Sequence, residues 1–235
     1  YDVVVMSIFV NPTQFGPNED FDSYPRDIER DESLAEARGV DIIFYPQARD
    51  MYPGDDLTWV NVEKITGVLC GASREGHFRG VTTVVTKLIN IVKPHAMVLG
   101  QKDAQQAAVL TKMAEDLNMD VKVIIAPIVR EEDGLAMSSR NVRLTPENRQ
   151  LALVLSKSLS LLRQEVLSGE SLSISLDKAK NEIENTANAK LEYLEARSYP
   201  LLDLVDELAG RTLIAVAVKF GDVRLIDNIL LTANS

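Results

Sequence analysis

The sequence predicts an α/β protein, in which a parallel sheet covered by helices is followed by a smaller α+β region. Apolar, strand-like runs alternate with helix-like segments over about the first 128 residues, as in parallel sheets with helical crossovers. Beyond residue 129, helices come first and three strand-like segments follow, which is typical of an antiparallel α+β domain. We therefore predict two domains, residues 1–128 and 129–235, with a hinge near REEDGLAMSSRN.

The composition is that of an ordinary globular protein. The chain has 235 residues, of which 46% are hydrophobic and 26% charged, enough for a sizeable core. The formal net charge of −10 disfavours nucleic-acid binding, because an acidic surface repels phosphate backbones. The single cysteine excludes an internal disulfide and favours a cytoplasmic enzyme. No apolar run approaches the roughly 20 residues of a membrane-spanning helix, so we expect no membrane partner.

The first elements are predicted from hydrophobic pattern and helix-ending residues. Residues 3–10 form a nearly continuous apolar run, which indicates an interior strand buried on both faces. Residues 26–38 have a helical pattern with Gly39 as terminator, and residues 40–46 predict the next strand. Residues 57–64 are a further candidate strand.

The same alternation continues to the proposed boundary. Residues 81–92 show helical periodicity, and residues 96–100 and 121–129 have the composition of strands. Residues 103–117 predict a helix between those strands, with Asp103 as its N-cap.

The second region is predicted to contain two helices and three strands. Residues 146–168 read as one long helix opened by Thr145-Pro146-Glu147, and residues 176–188 as a second helix after the polar stretch SGESLSIS. The strands are predicted in LEYLEARSY, TLIAVAVKF and VRLIDNILL.

Two polar stretches with side chains suited to small anionic ligands follow predicted strands or loops. In FVNPTQF, the amides of Asn11 and Gln14 can hold a molecule that carries both a carboxylate and a hydroxyl, although Asn-Pro also favours a simple turn. In GASREGHFRG, Arg74 and His77 can receive an anion, and the alternative is a solvated polar loop. Ligands of open α/β sheets bind at the carboxyl ends of the strands.

Two further stretches are suited to phosphate. In GQKDAQQ, Gly100 allows close backbone approach, Lys102 supplies a point charge, and Asp103 either caps the helix or binds a ribose. In DGLAMSSRN, two serines and Arg140 can close on a polyphosphate, or the serines can cap the next helix of a surface loop.

The motifs FVNPxQF, YPR, SRxGHFxGV, GxKDxQQ and DGLAxSSRN, in this order, resemble the pantothenate synthetase family over essentially the whole chain. The resemblance implies a Rossmann-like nucleotidyltransferase domain followed by the smaller α+β domain. It also implies an ATP-dependent condensation of (R)-pantoate with β-alanine through a pantoyl adenylate, releasing AMP and pyrophosphate. Mg²⁺ accompanies ATP in that reaction, and the protein is expected to be a cytoplasmic homodimer.

The resemblance also assigns roles to individual residues. It implies that Asn11, Gln14 and Gln106 hold pantoate, with Gln14 also facing β-alanine. Asp31 is implied to assist Mg²⁺ through water, and Arg74 and His77 are additional contacts. The implied ATP-binding residues are Gly100, Gln101, Lys102, Asp103, Val129, Met137, Ser138, Ser139 and Arg140, of which Lys102, Ser138, Ser139 and Arg140 are the catalytic candidates.

One family motif, P-T-M-G-x-x-H-x-G-H, does not occur in this sequence. From this we expect a strand–loop–helix unit before Tyr1 and reduced activity without it. Two alternatives stay open: a chain that only binds pantoate or a nucleotide, and a different nucleotidyltransferase that makes a dinucleotide cofactor.

Overall fold

The computed structural model describes residues 1–17 and 19–233 and confirms an α/β architecture. The strands and helices of the first region are β1 (Val5–Ser7), α1 (Ile28–Glu36), β2 (Ile42–Phe44), α2 (Ala48–Met51), α3 (Cys70–Ser73), α4 (His77–Val92), β3 (Ala96–Gly100), α5 (Ala104–Asp116) and β4 (Lys122–Ala126). Those of the second region are α6 (Pro146–Ala152), α7 (Val154–Leu167), α8 (Leu172–Glu184), β5 (Ala189–Ser198), β6 (Arg211–Phe220) and β7 (Val223–Thr232). Short 3-10 segments occupy Pro12–Gln14, Gln101–Asp103 and Ser139–Arg143.

The strand pairing is parallel in the first region and antiparallel in the second. β1 pairs with β2, and β3 pairs with β4, both in parallel, with Val98 opposite Ile124 in the second pair. β5, β6 and β7 form an antiparallel sheet in that order. The polar segments after β1 and β3 therefore leave their strands at the carboxyl ends, as predicted.

The opening strand is shorter and more exposed than predicted. Residues 3–10 were expected to be buried on both faces, but the strand spans Val5–Ser7. Val3 is 55% exposed and Val5 36% exposed. In the described part of the chain only β2 pairs with β1, so the apolar side chains have few neighbours to pack against.

The prediction of a strand at residues 57–64 is wrong. This segment is irregular, and its backbone bonds to a helix rather than to a neighbouring strand. The amide of Val60 donates to Thr83 Oγ1 at 3.0 Å, and the carbonyl of Val60 accepts from Thr82 Oγ1 at 2.7 Å. The two threonines of α4 thus satisfy backbone groups that a strand ladder would otherwise use.

Helix α4 begins earlier than predicted, so GASREGHFRG is largely helical rather than a loop. It contains α3 and the first turn of α4, separated by Gly76 at φ +75°. Gly80, in that first turn, packs directly on the 3-10 segment Pro12–Gln14. A Cβ at Gly80 would lie 2.4 Å from the carbonyl oxygen of Thr13, so only glycine permits this approach.

The helices of the second region also differ from the prediction. The expected single helix is divided at Leu153 into α6 and α7, and the Leu153 amide turns back to the Gln150 carbonyl at 3.3 Å. The second helix begins at Leu172 rather than at residue 176. Buried Leu172 and Ile183 lie on one face of α8, so the apolar stripe already starts within SGESLSIS.

Two hydrophobic clusters form the core. One joins α7 and α8 to the sheet and includes Leu159, Ile183 and Phe220. The other packs Leu110 of α5 with Leu213 of β6, and so combines residues from both predicted domains. The domain boundary near residue 128 stays a prediction.

Candidate active site

A cavity of about 700 Å³ lies among α3, α4, α5 and the β5–β7 sheet. Of the predicted site residues, it is lined by Arg74, His77, Lys102, Asp103, Gln106, Ser138 and Arg140. The others, which lie outside its lining, are Asn11, Gln14, Asp31, Gly100, Gln101, Val129, Met137 and Ser139. Three of the four polar stretches therefore meet at one cavity. The fourth, FVNPTQF, contacts the cavity residue His77 through the carbonyl of Gln14.

Asn11 organises the FVNPTQF turn. It is 2% exposed, and its amide nitrogen donates to Gln14 Oε1 at 3.2 Å and to the carbonyl of Gly80 at 3.1 Å. Its Oδ1 accepts from Thr13 Oγ1 at 3.0 Å. Because Asn11 holds the oxygen of the Gln14 amide, the NH₂ group of Gln14 is the part left to bind other molecules.

His77 is held in one tautomer by its neighbours. Nδ1 lies 2.8 Å from the Gln14 carbonyl, which can only accept, so Nδ1 carries the proton. Nε2 lies 3.0 Å from Arg74 NH1, which can only donate, so Nε2 accepts. Burial, followed by the charge of Arg74, lowers the pKa of His77 to about 4, so the ring is neutral at pH 7.

Two carboxylates pair with arginines of the cavity. Glu19 accepts from Arg74 at 2.7 and 2.5 Å. Asp20 accepts from Arg140 at 2.8 and 2.9 Å and from Arg143 at 2.7 Å. The hydrogen bond from Arg140 is the main cause that lowers the pKa of Asp20, so this carboxylate is ionised at neutral pH. The acidic residues thus keep the cationic side chains in place within the cavity.

The serines beside Arg140 have different surroundings. Ser138 lines the cavity and its hydroxyl accepts from the Arg140 amide at 3.3 Å, which caps the 3-10 segment Ser139–Arg143. Ser139 donates to the hydroxyl of Tyr24 at 2.9 Å, away from the cavity lining. The predicted cap is therefore present, but it belongs to a 3-10 segment rather than to the next α-helix.

The Gln101–Asp103 segment is anchored from β7 of the second region. The side-chain amide of Asn228 donates to the carbonyls of Gln101 and Lys102 at 3.0 and 2.9 Å. Lys102 Nζ lies 4.0 Å from the Asp103 carboxylate, and both side chains line the cavity. Asp103 stands at the N-cap position of α5, as predicted, but its side chain makes no capping hydrogen bond.

The two adjacent glutamines of α5 both line the cavity. Gln105 is buried and its amide bonds to the backbone of the segment before α4: it accepts from the Cys70 amide at 3.0 Å and donates to the carbonyls of Ile65 and Val68. Gln106 lines the cavity, as its predicted role requires. Gln105 therefore shapes the cavity wall, which the sequence pattern did not reveal.

Cys70, which had no obvious partner in the sequence, lies in a polar cluster at one end of the cavity. Its sulfur is 3.1 Å from the Tyr193 hydroxyl and 3.6 Å from Arg224 NH2. Arg224 also donates to Glu192 at 2.8 Å. Burial raises the pKa of Tyr193, so its phenol stays protonated. No sequence motif joined Cys70 to Tyr193 and Arg224, because more than a hundred positions separate it from each of them and they meet only in the fold.

The loop after β4 forms a short hairpin. Met137 donates from its amide to the Val129 carbonyl at 2.9 Å, and the side chains of both are exposed, at 54% and 63%. Arg130 donates two bonds to buried Asp227 on β7, at 2.7 and 3.0 Å. The fold therefore brings Val129 and Met137 together and ties their hairpin to the sheet. Asp227 and Asn228 lie within VRLIDNILL, for which the sequence pattern predicted a strand and no site residue.

The metal prediction concerns Asp31, which lies in α1 and not in the cavity lining. Among residues 1–17 and 19–233, no group of three or more His, Cys, Asp or Glu side chains is arranged to hold a metal ion. Within the same residues, no helix combines the length and apolarity needed to cross a bilayer.

Comparison with known proteins agrees with the motifs. The model of the pantoate-beta-alanine ligase family matches residues 1–230. The pantothenate synthetase of Acetivibrio thermocellus is 60% identical over 230 residues, covering 97% of this chain and 82% of that protein. The pantothenate synthetase of Bacillus subtilis is 53% identical over 230 residues, covering 98% of this chain and 80% of that protein.

Solved structures give the same result. The pantothenate synthetase of Thermus thermophilus superposes with a TM-score of 0.94 at 42% identity, covering 97% of this chain and 83% of that one. The ligase of Francisella tularensis, complexed with β-γ ATP and β-alanine, gives a TM-score of 0.76 at 37% identity, covering 97% of this chain and 79% of that one. The chain therefore belongs to the pantoate-beta-alanine ligase family, whose curated members are named pantothenate synthetases.

Proposed function

We propose that this enzyme uses ATP to condense (R)-pantoate with β-alanine. The pantoate carboxylate attacks the α-phosphorus of ATP, and the bond to the leaving pyrophosphate breaks. The amine of β-alanine then attacks the acyl carbon of the bound adenylate, and AMP leaves. The observation that carries this proposal is the meeting of two separate stretches in one cavity: Lys102 and Gln106 come from GQKDAQQ, and Arg140 comes from DGLAMSSRN.

ATP is assigned to the side of the cavity formed by the segments after β3 and β4. Lys102 and Arg140, which line the cavity, are assigned to the phosphates because they supply positive charge, and Asp103 is assigned to the ribose. Arg140 uses two of its five N–H groups on Asp20, so a phosphate either binds the remaining N–H groups or displaces that carboxylate. We also assign the phosphates to Ser138, which lines the cavity, and to Ser139, whose hydroxyl must leave Tyr24 to reach them.

The adenine is assigned to the hairpin. The side chains of Val129 and Met137 are exposed and adjacent, which suits the apolar face of a purine base. Gly100 ends β3 opposite Ala126, the last residue of β4, and Gln101 follows it. An added Cβ at Gly100 would meet no protein atom within 4 Å. The backbone there is accessible to a nucleotide.

The acid and amine substrates are assigned to the glutamines. Gln106 lines the cavity one helical turn beyond Asp103. Gln14 presents its NH₂ group because Asn11 engages its oxygen, so it is suited to donate to a carboxylate or hydroxyl oxygen. His77 uses both ring nitrogens on Arg74 and Gln14, so we assign it the positioning of those residues rather than direct substrate contact.

Catalysis requires no protein nucleophile in this scheme. Orientation of the two substrates and stabilisation of negative charge on the phosphates account for the rate. We propose that Mg²⁺ enters with ATP as part of the substrate, because Mg²⁺ needs only one or two protein carboxylates when phosphates and water complete its shell. We propose that Asp31 contacts the Mg²⁺ ion through a water molecule. We also propose that the protein is a cytoplasmic homodimer.

The test is a stepwise assay of the purified chain. With ATP and pantoate alone, we expect pyrophosphate equivalent to one turnover. With β-alanine added, we expect repeated turnover and pantothenate identified by mass spectrometry. Calorimetric binding of pantoate or ATP without pyrophosphate release would show a chain that only binds. A dinucleotide product would show a different nucleotidyltransferase.

A further inference from the structure

Asn228 on β7 bonds to the segment that follows β3. It is 2% exposed, and both amide hydrogens are used, on the carbonyls of Gln101 and Lys102 at 3.0 and 2.9 Å. Its oxygen accepts from Gln101 Nε2 at 3.3 Å. Only an amide can donate twice and accept at this position, because a carboxylate has no hydrogen to donate.

Asp227, the preceding residue, bonds to the other side of the cavity. It is 3% exposed and accepts two bonds from Arg130, at 2.7 and 3.0 Å. Arg130 also donates to the carbonyl of Gly134 at 3.1 Å, inside the hairpin that leads to Ser138. The same carboxylate also accepts from the backbone N–H of Asn228 at 2.8 Å, so the two residues form one unit.

We propose that Asp227 and Asn228 are positioning residues that set the spacing between the two halves of the nucleotide site. Asn228 holds the turn that carries Lys102, and Asp227 holds the hairpin that leads to Arg140. The proposal rests on the nucleotide site of the proposed function. It adds that a dipeptide of the second region controls how that site is assembled.

The first test uses Asn228→Asp, which keeps the shape and replaces both donors by a carboxylate that faces two carbonyl oxygens. We expect faster amide hydrogen exchange in residues 101–106 and unchanged exchange in residues 130–141. Affinity for a non-hydrolysable ATP analogue, measured by calorimetry, should fall roughly tenfold or more, and KM for ATP should rise more than KM for β-alanine. Affinity for pantoate should change by less than about twofold, since Gln106 has its own helix position.

The second variant, Asp227→Asn, should give the opposite pattern. Its weakened pairing with Arg130 is expected to raise exchange in residues 130–141 and to leave residues 101–106 unchanged. If Asn228→Asp does not fold, Asn228→Ala removes the donors without adding a charge and replaces it in the comparison.

Glu195→Gln is the matched control. It weakens a bond to buried Arg197 on β5 of the same sheet, at 2.7 Å, outside the cavity lining. This variant should lose some stability while keeping nucleotide affinity and local exchange unchanged.

Unchanged exchange in residues 101–106 together with unchanged affinity for the ATP analogue would overturn the positioning role of Asn228. If Asn228→Asp instead raises exchange throughout the protein and weakens all substrates equally, Asn228 only stabilises the fold. That result would also overturn its positioning role. If the wild-type chain binds the analogue but makes no pantothenate, the proposed reaction fails while these comparisons still decide the positioning role. If the wild-type chain does not bind the analogue, both proposals are wrong.

Discussion

Lys102 is the residue at which the proposed chemistry can be tested most directly. Lys102 lines the cavity, and among the described residues its ion pair is a 4.0 Å approach to Asp103, so we expect the fold to depend little on it. Lys102→Ala should lower the rate of pyrophosphate release by roughly 10²–10³-fold, the usual loss for one preorganised charge contact. Lys112→Ala, which removes an exposed ion pair with Asp116 on the neighbouring helix α5, is the control. A folded Lys102→Ala protein with near wild-type release would contradict the assignment.

Gln105 and Gln106 provide a paired test of position on one helix. Gln106→Ala should weaken pantoate far more than ATP, because an unpaired partner group costs roughly 1–3 kcal/mol. Gln105→Ala should instead lower the free energy of unfolding by a similar amount, since it leaves the Cys70 amide and two carbonyls without partners. Calorimetry and urea unfolding of both variants separate the two roles. Equal losses of both substrates in Gln106→Ala would show that this residue is structural.

His77 predicts a specific pH dependence of stability. Its folded pKa of about 4 lies below the ordinary 6.5, so the unfolded chain binds more protons between these values. The free energy of unfolding should therefore fall as the pH drops from about 6.5 to 4, by about 3 kcal/mol, and this term should be constant below pH 4. Urea unfolding across this range is the measurement, with His77→Gln as the comparison. A variant that keeps the full slope would exclude His77 as its source.

At the level of elements, the contact of α4 with the Pro12–Gln14 segment depends on Gly80. Gly80→Ala places a methyl group 2.4 Å from a backbone oxygen, so α4 must move away from the turn that holds Gln14. We expect a loss of roughly 1–3 kcal/mol in stability, together with weaker pantoate binding. Gly100→Ala is the matched control for stability, because its added methyl meets no protein atom within 4 Å. A Gly80→Ala protein with wild-type melting temperature would disprove this close approach.

At the level of the whole molecule, the cluster around Leu213 connects the two regions. Leu213 of β6 and Leu110 of α5 are both completely buried in this cluster. Leu213→Ala should destabilise the protein by roughly 2–5 kcal/mol, whereas Leu161→Ala, at a half-exposed position, should cost far less. Trp59, the single tryptophan, lies against Tyr52 and Arg79 of the first region, so its fluorescence reports on that region.

Unfolding of the Leu213→Ala protein should therefore shift by the same amount in Trp59 fluorescence and in far-UV circular dichroism. One coincident transition is expected because the shared cluster couples the regions. A fluorescence transition that stays at its wild-type position would show that the first region unfolds by itself.

The sequence by itself determined the elements whose signals are local. The strand at Ala96–Gly100 was predicted with its bounds, and Asp103 and Thr145 marked helix starts, because period, turn residues and N-cap preferences act within a few positions. The order of the five motifs also identified the family and the candidate phosphate-binding segments. The irregular course of residues 57–64 could not be predicted, since Thr82 and Thr83 of a distant helix satisfy that backbone.

Only the tertiary structure decided which polar residues share a cavity and which support it. Asn11 is buried as the support of Gln14. Gln105 and Gln106 both line the cavity, and the amide of Gln105 is used on the backbone of its wall. The contact of Cys70 with Tyr193 and the bond from Asn228 of β7 to the Gln101 carbonyl exist only in the folded chain. Side-chain hydrogen bonds between residues so far apart produce no recognisable pattern in the sequence. Their partners are set by the packing of whole elements and not by local propensity.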